Sequence, residues 1–386
     1  MTRNTFVFAM LLAFLDSGFA PGWTAAQAQE QRVPFVYVSG YRPEIAIFRL
    51  DTAKGTLVPA GKATSVGQQP SFLAFDPAAK FLFAANETDP GRVRSFAINQ
   101  ATGALTPIND VPAMGSTTAH LSTDSTGRWL LVANYGSDGT DPTLGGEKQG
   151  TIASVPIAAD GRLAPAVDTR EFGLGSMAHQ IRSDPGNRFL YVPLKGGPAV
   201  AQLVFDPATG RMKPNVLLQV AAAAGAGPRH MDFHPNGRFA YVINELDLTM
   251  TAYSYDAKTG LLRELQVLAN LPPAADKVGA SAADVHVHQS GRFLYGSNRG
   301  HDSIVIFRLG EDGRMTLVGH ESRGIKRPRN FTIDPTGTLM LVANQDAANV
   351  TVYRIDQNKG TLEPVGTPTP AGANPSFVGV VMLPGK

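Results

Sequence analysis

The chain has 386 residues, with 34 Lys and Arg against 32 Asp and Glu for a net charge of +2. That balance, with no basic run, argues against a general nucleic-acid-binding surface. The absence of cysteine excludes a disulfide framework and thiol catalysis, while the 40 glycines and 28 prolines, with no long amphipathic helical stretch, point to many short strands and turns.

Arg3 opens the chain, Phe6 to Leu15 is an apolar run, and small residues lead to Ala26-Gln27-Ala28. This is the pattern of a secretory signal with a cleavage triplet. The apolar run is too short for a comfortable transmembrane helix. Residues 1–28 are read as a signal peptide, and residues 29–386 as one exported domain, periplasmic or secreted, with no membrane association after cleavage.

From Phe35 a single pattern recurs. FVYVSG from Phe35 is an incomplete copy. QPSFLAFDPAAKFLFAANE from Gln69, TAHLSTDSTGRWLLVANY from Thr118 and MAHQIRSDPGNRFLYVPL from Met177 follow. Then come GPRHMDFHPNGRFAYVINEL from Gly227, AADVHVHQSGRFLYGSNR from Ala282 and RPRNFTIDPTGTLMLVANQ from Arg327. Each reads as two alternating apolar runs around a polar turn, the signature of half-buried strands in a hairpin. A third strand follows, such as SIVIFRL from Ser303, then a turn such as DTAKGTL at Asp51 or DAKTGLL at Asp256, then a fourth strand. Asp opens such turns by accepting from backbone amides, and Gly takes the left-handed position that ends them. Copies lie roughly 45 to 60 residues apart, about one four-stranded blade.

The chain ends with NPSFVGVVML from Asn374, which resembles an inner strand alone; its Pro375 to Phe377 repeats Pro70 to Phe72. Six complete hairpins plus a first and last half make seven. The expected fold is an all-β, seven-bladed β-propeller, four antiparallel strands per blade, with the C-terminal strand completing the first blade. Closure removes exposed sheet edges.

In each hairpin the start of the inner strand and the end of the next lie on one face of the ring. The starts carry Ser71, Ala119-His120, Ala178-His179, Arg229-His230, Ala283-Asp284, Arg329-Asn330 and Ser376. The ends carry Gly40, Glu87, Tyr135, Leu194, Glu245, Arg299 and Gln345. Arginines, histidines and acids are thus expected around one solvent-filled mouth. His286 and His288 share a strand face by spacing, but no third ligand lies nearby, so no metal is expected. His234 holds the turn position that Asp76 and Asp334 hold elsewhere, which favours a structural role. There is no G-x-S-x-G element, no P-loop and no dinucleotide fingerprint, so no cofactor is expected.

The chain resembles the seven-bladed lactonase family that includes bacterial 6-phosphogluconolactonase and fungal carboxy-cis,cis-muconate cyclase. GPRHMDFHPNGRFAYVINEL, GRFLYGSNRGHDSIVIFRL and PRNFTIDPTGTLMLVANQD carry the resemblance. It implies a small-molecule lactone substrate and an active set of His, Arg, Glu and Arg, which fall by motif position on His179, Arg229, Glu245 and Arg299. Two departures bear on the substrate: VPLKGGPAVAQL follows the fourth hairpin, and the third blade carries the insert GSDGTDPTLGGEKQG from Gly136. Export also favours an unphosphorylated sugar lactone or another organic-acid lactone.

Metal-independent attack of water on a lactone needs a base and stabilisation of an oxyanion. His179 and Glu245 are the candidates for acid/base work. Arg229 and Arg299 are the candidates for anion binding and oxyanion stabilisation, and His120, Tyr135 and Arg329 for shaping the substrate pocket. At a solvent-filled mouth, replacing these groups is expected to change stability little. A monomer is expected. The competing readings are a non-catalytic exported propeller that binds a ligand or partner at the same mouth, and a muconate-lactonising isomerase using the same residues.

Overall fold

The computed structural model describes residues 32–61, 64–138 and 147–384. The signal peptide expected at residues 1–28 lies outside the described residues, as does the tip of the blade-three insert.

Among the described residues, thirty strands form seven sheets. The first sheet holds β1 (Arg32–Gly40), β2 (Glu44–Asp51), β3 (Thr56–Pro59) and β4 (Thr64–Ser65). The second holds β5 (Pro70–Phe75), β6 (Phe81–Asn86), β7 (Arg92–Ile98) and β8 (Leu105–Pro112). The third holds β9 (Thr118–Thr123), β10 (Trp129–Asn134), β11 (Ser137–Asp138), β12 (Glu147–Pro156) and β13 (Asp168–Leu174). The fourth holds β14 (Arg182–Ser183), β15 (Phe189–Leu194), β16 (Ala199–Asp206) and β17 (Arg211–Ala221). The fifth holds β18 (Pro228–Phe233), β19 (Phe239–Asn244), β20 (Thr249–Asp256) and β21 (Leu261–Ala269). The sixth holds β22 (Ser281–Val287), β23 (Phe293–Arg299), β24 (Ser303–Leu309) and β25 (Met315–Glu321). The seventh holds β26 (Pro328–Ile333), β27 (Leu339–Asn344), β28 (Asn349–Ile355) and β29 (Leu362–Pro370). Last comes β30 (Pro375–Pro384), which pairs antiparallel with β1 from Arg32↔Pro384 to Gly40↔Pro375. The chain is a seven-bladed propeller closed by its own C-terminal strand. In blade three the insert adds β11 as an extra strand against β12.

The turn glycines also join the blades. Gly260 and Gly313 have φ of 71° and 80°, which favours glycine. A Cβ on either would lie 2.3 to 2.4 Å from the ring of Phe189 or Phe239 in the preceding blade. The same two carbonyls accept from Tyr191 Oη at 2.7 Å and Tyr241 Oη at 3.0 Å. In six of the seven blades an aromatic at the head of the second strand and a glycine in the next blade's last turn fit one another in this way, while the seventh blade begins that strand with Leu339. Apolar clusters such as Tyr241, Met250 and Leu294 fill the space between neighbouring sheets.

The inner strands are not regular. The pairing of β5 with β6 runs Pro70↔Asn86 and then Phe72↔Ala85, skipping Ser71. Equivalent bulges skip Ala119, Arg229, Arg329 and Ser376. A bulge adds one residue to one strand and re-aims its side chain. Period-two alternation places neighbours such as Arg229 and His230 on opposite faces. The bulge lets both serve the central channel, one layer above the other.

Those channel side chains also solve an edge problem. Among the described residues the inner strand of each blade has no strand partner on its channel side, and its N–H groups need acceptors. Gln180 Oε1 accepts from Met231 N at 2.7 Å, Asp232 Oδ2 from Val287 N at 2.9 Å, and Asn330 Oδ1 from Val378 N at 2.8 Å.

Candidate functional site

The chain enters most inner strands through a left-handed residue: Gln69, Thr117, Met177, Gly227, Arg327 and Asn374. Its carbonyl accepts from the residue just past the second strand of the same hairpin. Glu87 N, Tyr135 N, Lys195 N, Glu245 N and Gln345 N donate to the carbonyls of Gln69, Thr117, Met177, Gly227 and Arg327. This bond defines the rim position in each blade. Lys195, not Leu194, is the rim residue of blade four, and by the same spacing Tyr41, not Gly40, is that of blade one. Sequence reasoning missed both by one residue. Counting from the aromatic head of the strand would have found them, since FLYVPLK from Phe189 and FVYVSGY from Phe35 align with FLFAANE from Phe81.

Beneath the rim lies a cavity of about 240 Å³ lined by Tyr41, Gln69, Glu87, Thr117, Tyr135, His179, Lys195, Glu245 and Arg329. At its wall Glu245 meets three cations. Arg229 places Nε 2.8 Å from Glu245 Oε2, Arg299 places Nη2 3.1 Å from Oε1, and Lys195 places Nζ 3.3 Å from Oε1. Arg229 Nη1 also donates to Ala283 O at 2.5 Å and Arg299 Nη2 to Ala282 O at 2.9 Å. Lys195 Nζ donates to Tyr135 Oη at 2.7 Å.

This geometry revises the expected roles. Arg229 and Arg299 are 2% and 5% exposed and do not line the cavity; their charges face Glu245 and backbone carbonyls. The cations that face the space are Lys195 and Arg329, the latter stacked 5.6 Å over the ring of Tyr41. Nor is the set solvent-filled: Glu245 is 8% exposed, so replacing these groups carries a stability cost. His120 is not at this mouth at all. It lies one layer down, its ring 4.3 Å from Phe72 and 5.6 Å from His230.

Phe72, His120 and His230 form part of a floor, below which a second cavity of about 630 Å³ opens. Arg182, Asp284, His286, Phe331 and Phe377 line it. His286 faces this space, whereas His288 sits past the end of β22 in the turn and meets Gly337 O at 2.7 Å. The two histidines do not share a task. His234 bonds Gly291 O at 2.8 Å and receives Asn236 N at 3.1 Å, the structural role its turn position implies. Among the described residues no group of three or more His, Asp or Glu side chains is placed to hold a metal ion.

A model of the family described as "Lactonase, 7-bladed beta-propeller" matches residues 35–379. The chain belongs to this seven-bladed lactonase family. A 6-phosphogluconolactonase of Pectobacterium carotovorum subsp. carotovorum is 39% identical over 236 residues, covering 61% of this chain and 69% of that one. One of Yersinia pestis is 38% identical over 205 residues, 52% of this chain and 60% of that one. The periplasmic gluconolactonase of Pseudomonas aeruginosa superimposes with a TM-score of 0.82 at 28% identity, over 91% of this chain and 100% of that one.

In this lactonase-family chain the electrostatics separate the two candidate acid/base groups. Burial works to raise the Glu245 carboxyl, but Arg299, Arg229, Lys195 and Arg329 outweigh it and hold it down at about 2. Glu245 is therefore a fixed anion, too weak a base to take a proton near neutrality. Burial, then Arg229, His230, Arg329 and Lys195, push His179 well below the ordinary imidazole value, so its ring is neutral and has a lone pair to offer. Burial brings Arg229 down to about 9 against the pull of Glu245, which leaves it a cation at neutral pH. Burial pushes the Tyr41 phenol up to about 12, so Tyr41 is a neutral hydrogen-bonding group beside Arg329.

Proposed function

We propose that this chain is an exported, monomeric hydrolase that opens a sugar or organic-acid lactone in the upper cavity by metal-independent attack of water. The single observation that carries the reading is a neutral His179 in the wall of a small polar cavity, beside the cavity-lining cations Lys195 and Arg329. Water needs a base to attack an acyl carbon, and the developing oxyanion needs fixed positive charge. His179 takes a proton from water as the new C–O bond forms. The ring C–O bond then breaks, and the imidazolium returns that proton to the leaving alkoxide. Lys195 and Arg329 hold the carbonyl oxygen or an anionic substituent. Glu245, flanked by Arg229 and Arg299, keeps Lys195 in place.

Membership of the lactonase family and the 6-phosphogluconolactonase relatives support the reaction class. Likeness to a periplasmic gluconolactonase and the signal-like N-terminus support export and an unphosphorylated substrate.

The test is hydrolysis of glucono-lactone, its 6-phosphorylated form and a muconolactone by wild type and His179→Asn, with spontaneous opening subtracted. The reading expects the highest kcat/KM on an unphosphorylated sugar lactone and a loss of about 10²- to 10⁴-fold in His179→Asn, the usual worth of a general base. Opening of the muconolactone to the muconate by elimination, without uptake of water, would favour the isomerase. No rate above background on any lactone would leave a binding propeller.

A further inference from the structure

The floor between the two cavities contains a buried polar line that the hydrolysis scheme does not use. His230 Nδ1 lies 2.8 Å from Asp284 Oδ1. On its other side, the His230 ring centre is 5.1 Å from that of His179. Two ring nitrogens in this region are buried without any hydrogen-bond partner: His179 Nδ1 and His230 Nε2. They belong to these two adjacent rings. A ring nitrogen lies roughly 1.2 Å from the ring centre, so a linear N–H···N bond of about 2.9 Å spans about 5.3 Å between centres. The observed separation is close to that span, so the rings stand near enough for the bond to form once the two nitrogens are turned into line. A buried nitrogen left alone costs about 1–3 kcal/mol, which favours such closure.

We propose that Asp284 and His230 are positioning residues for His179, forming an Asp–His–His line that fixes the tautomer of the base. The direction of each bond follows from the carboxylate end. Asp284 only accepts, so His230 is protonated on Nδ1 and bare on Nε2. Bare Nε2 accepts only if His179 carries its proton on Nδ1. His179 then turns an unprotonated Nε2 toward the cavity, where the attacking water stands. When His179 takes that water's proton, the imidazolium Nδ1–H remains bonded to His230, with the Asp284 charge behind it. The logic is that of a buried carboxylate orienting a catalytic imidazole, extended by one ring.

An alternative role for Asp284 is purely structural, since its Oδ2 accepts from Asn330 Nδ2 at 2.5 Å and Phe331 N at 3.3 Å and its Oδ1 from Val285 N at 3.0 Å. The repeat separates the two roles. Gln180 and Asn330, at the equivalent positions of blades four and seven, cap the neighbouring inner strands with neutral amides. Strand capping therefore does not require a charge. What sets Asp284 apart from those amides is a charge placed against two imidazoles, His230 at 2.8 Å and His286, in the lower cavity, at 3.1 Å. Other charged groups near this end are Asp232, 4.0 Å from His286, and Arg182, 2.7 Å from Asp232.

The inference rests on the hydrolase reading for its purpose, but its geometry can be tested without activity. Histidine-selective ¹⁵N labelling of the wild-type protein reports the tautomer of each ring. His179 and His230 are both expected as Nδ1–H forms at neutral pH, and Asp284→Asn is expected to shift the His179 signals although the two residues do not touch. A His179 in the Nε2–H form, or one insensitive to Asp284→Asn, overturns the proposal. In kinetics, Asp284→Asn should keep KM within about twofold and lower kcat about 10- to 100-fold. It should also move the acid limb of the pH profile to lower pH, because the His179 imidazolium has lost its support. A folded Asp284→Asn protein with wild-type kcat and pH profile also overturns it. Should Asp284→Asn fail to fold, His230→Gln is examined by the same readouts. If the wild type hydrolyses no lactone, the hydrolase reading fails while the ¹⁵N result still decides the line.

Discussion

The same inner strands line both cavities, a few residues apart, yet the two spaces differ in kind. The upper one is small, about 240 Å³, and is walled by Lys195, Arg329, Glu245 and a neutral His179. The lower one is larger, about 630 Å³, and much of its wall is Phe72, Phe331 and Phe377. Its charges are already matched, Arg182 with Asp232 at 2.7 Å and His286 with Asp284 at 3.1 Å. Volume alone points to the lower cavity. Unspent charge beside a free imidazole lone pair points to the upper. The contrast arises from the bulge, which lets consecutive residues such as Arg229 and His230 serve successive layers of one channel.

The largest effect should come from removing what both cavities share. Truncation before Asn374 deletes β30, which supplies Phe377 to the lower wall and pairs with the whole of β1. At about 1–3 kcal/mol for each buried unpaired group, the ring should not survive as a cooperative unit. Thermal unfolding checks this, and an unchanged Tm contradicts a shared first blade.

Glu245→Gln should come next, because it strips the counter-charge from buried Arg229 and Arg299. Removing one partner of a buried pair typically costs about 3–5 kcal/mol, and turnover should fall with it. Glu245 titrates at about 2 in the fold against an ordinary 4.5. Its contribution is therefore fully present above 4.5 and is lost as pH falls toward 2. Acid unfolding followed by circular dichroism should show that component in the wild type and lack it in the variant.

Much of this was legible in the sequence. Hairpin spacing, the Asp-to-Gly turns and the repeat of Pro-Ser-Phe at Pro70 and Pro375 gave the ring, the blade count and its closure. His179, Arg229, Glu245 and Arg299 were placed toward one end of the channel, and they do gather there. The layering was not legible. Alternation has period two, and nothing in ARG-HIS or ALA-HIS neighbours announces an extra residue in the strand, so His120 was put at the mouth instead of in the floor. Lys195 was hidden because Leu194 replaces the Asn that ends the second strand in blades such as the second and fifth. That Arg229 and Arg299 face Glu245 rather than the cavity depends on side-chain directions that no repeat encodes.

A smaller effect, confined to binding, should follow Arg329→Lys. It keeps the charge but loses the planar fork, so KM for an anionic lactone should rise about 10-fold with little change for a neutral one. Steady-state kinetics on a matched phosphorylated and unphosphorylated pair would show it; equal shifts for both would take Arg329 out of anion binding. The smallest effect belongs to the lower cavity. Arg182 is part-exposed, and Asp232 keeps its bonds to Phe233 N and Val287 N without it. Arg182→Met should leave kcat within about twofold. A large loss of activity there would move the chemistry to the other end of the channel.

The most direct measurement is the wild-type pH dependence of kcat/KM for lactone opening, corrected for spontaneous hydrolysis. A general base works above its own pKa and is lost below it. Burial and the surrounding cations place His179 well below the ordinary 6.5. Activity should therefore stay level as pH falls through 6.5 and decline only further down, with the limb absent in His179→Asn. A limb at or above 6.5, or one that persists in His179→Asn, would contradict His179 as the base that opens the lactone.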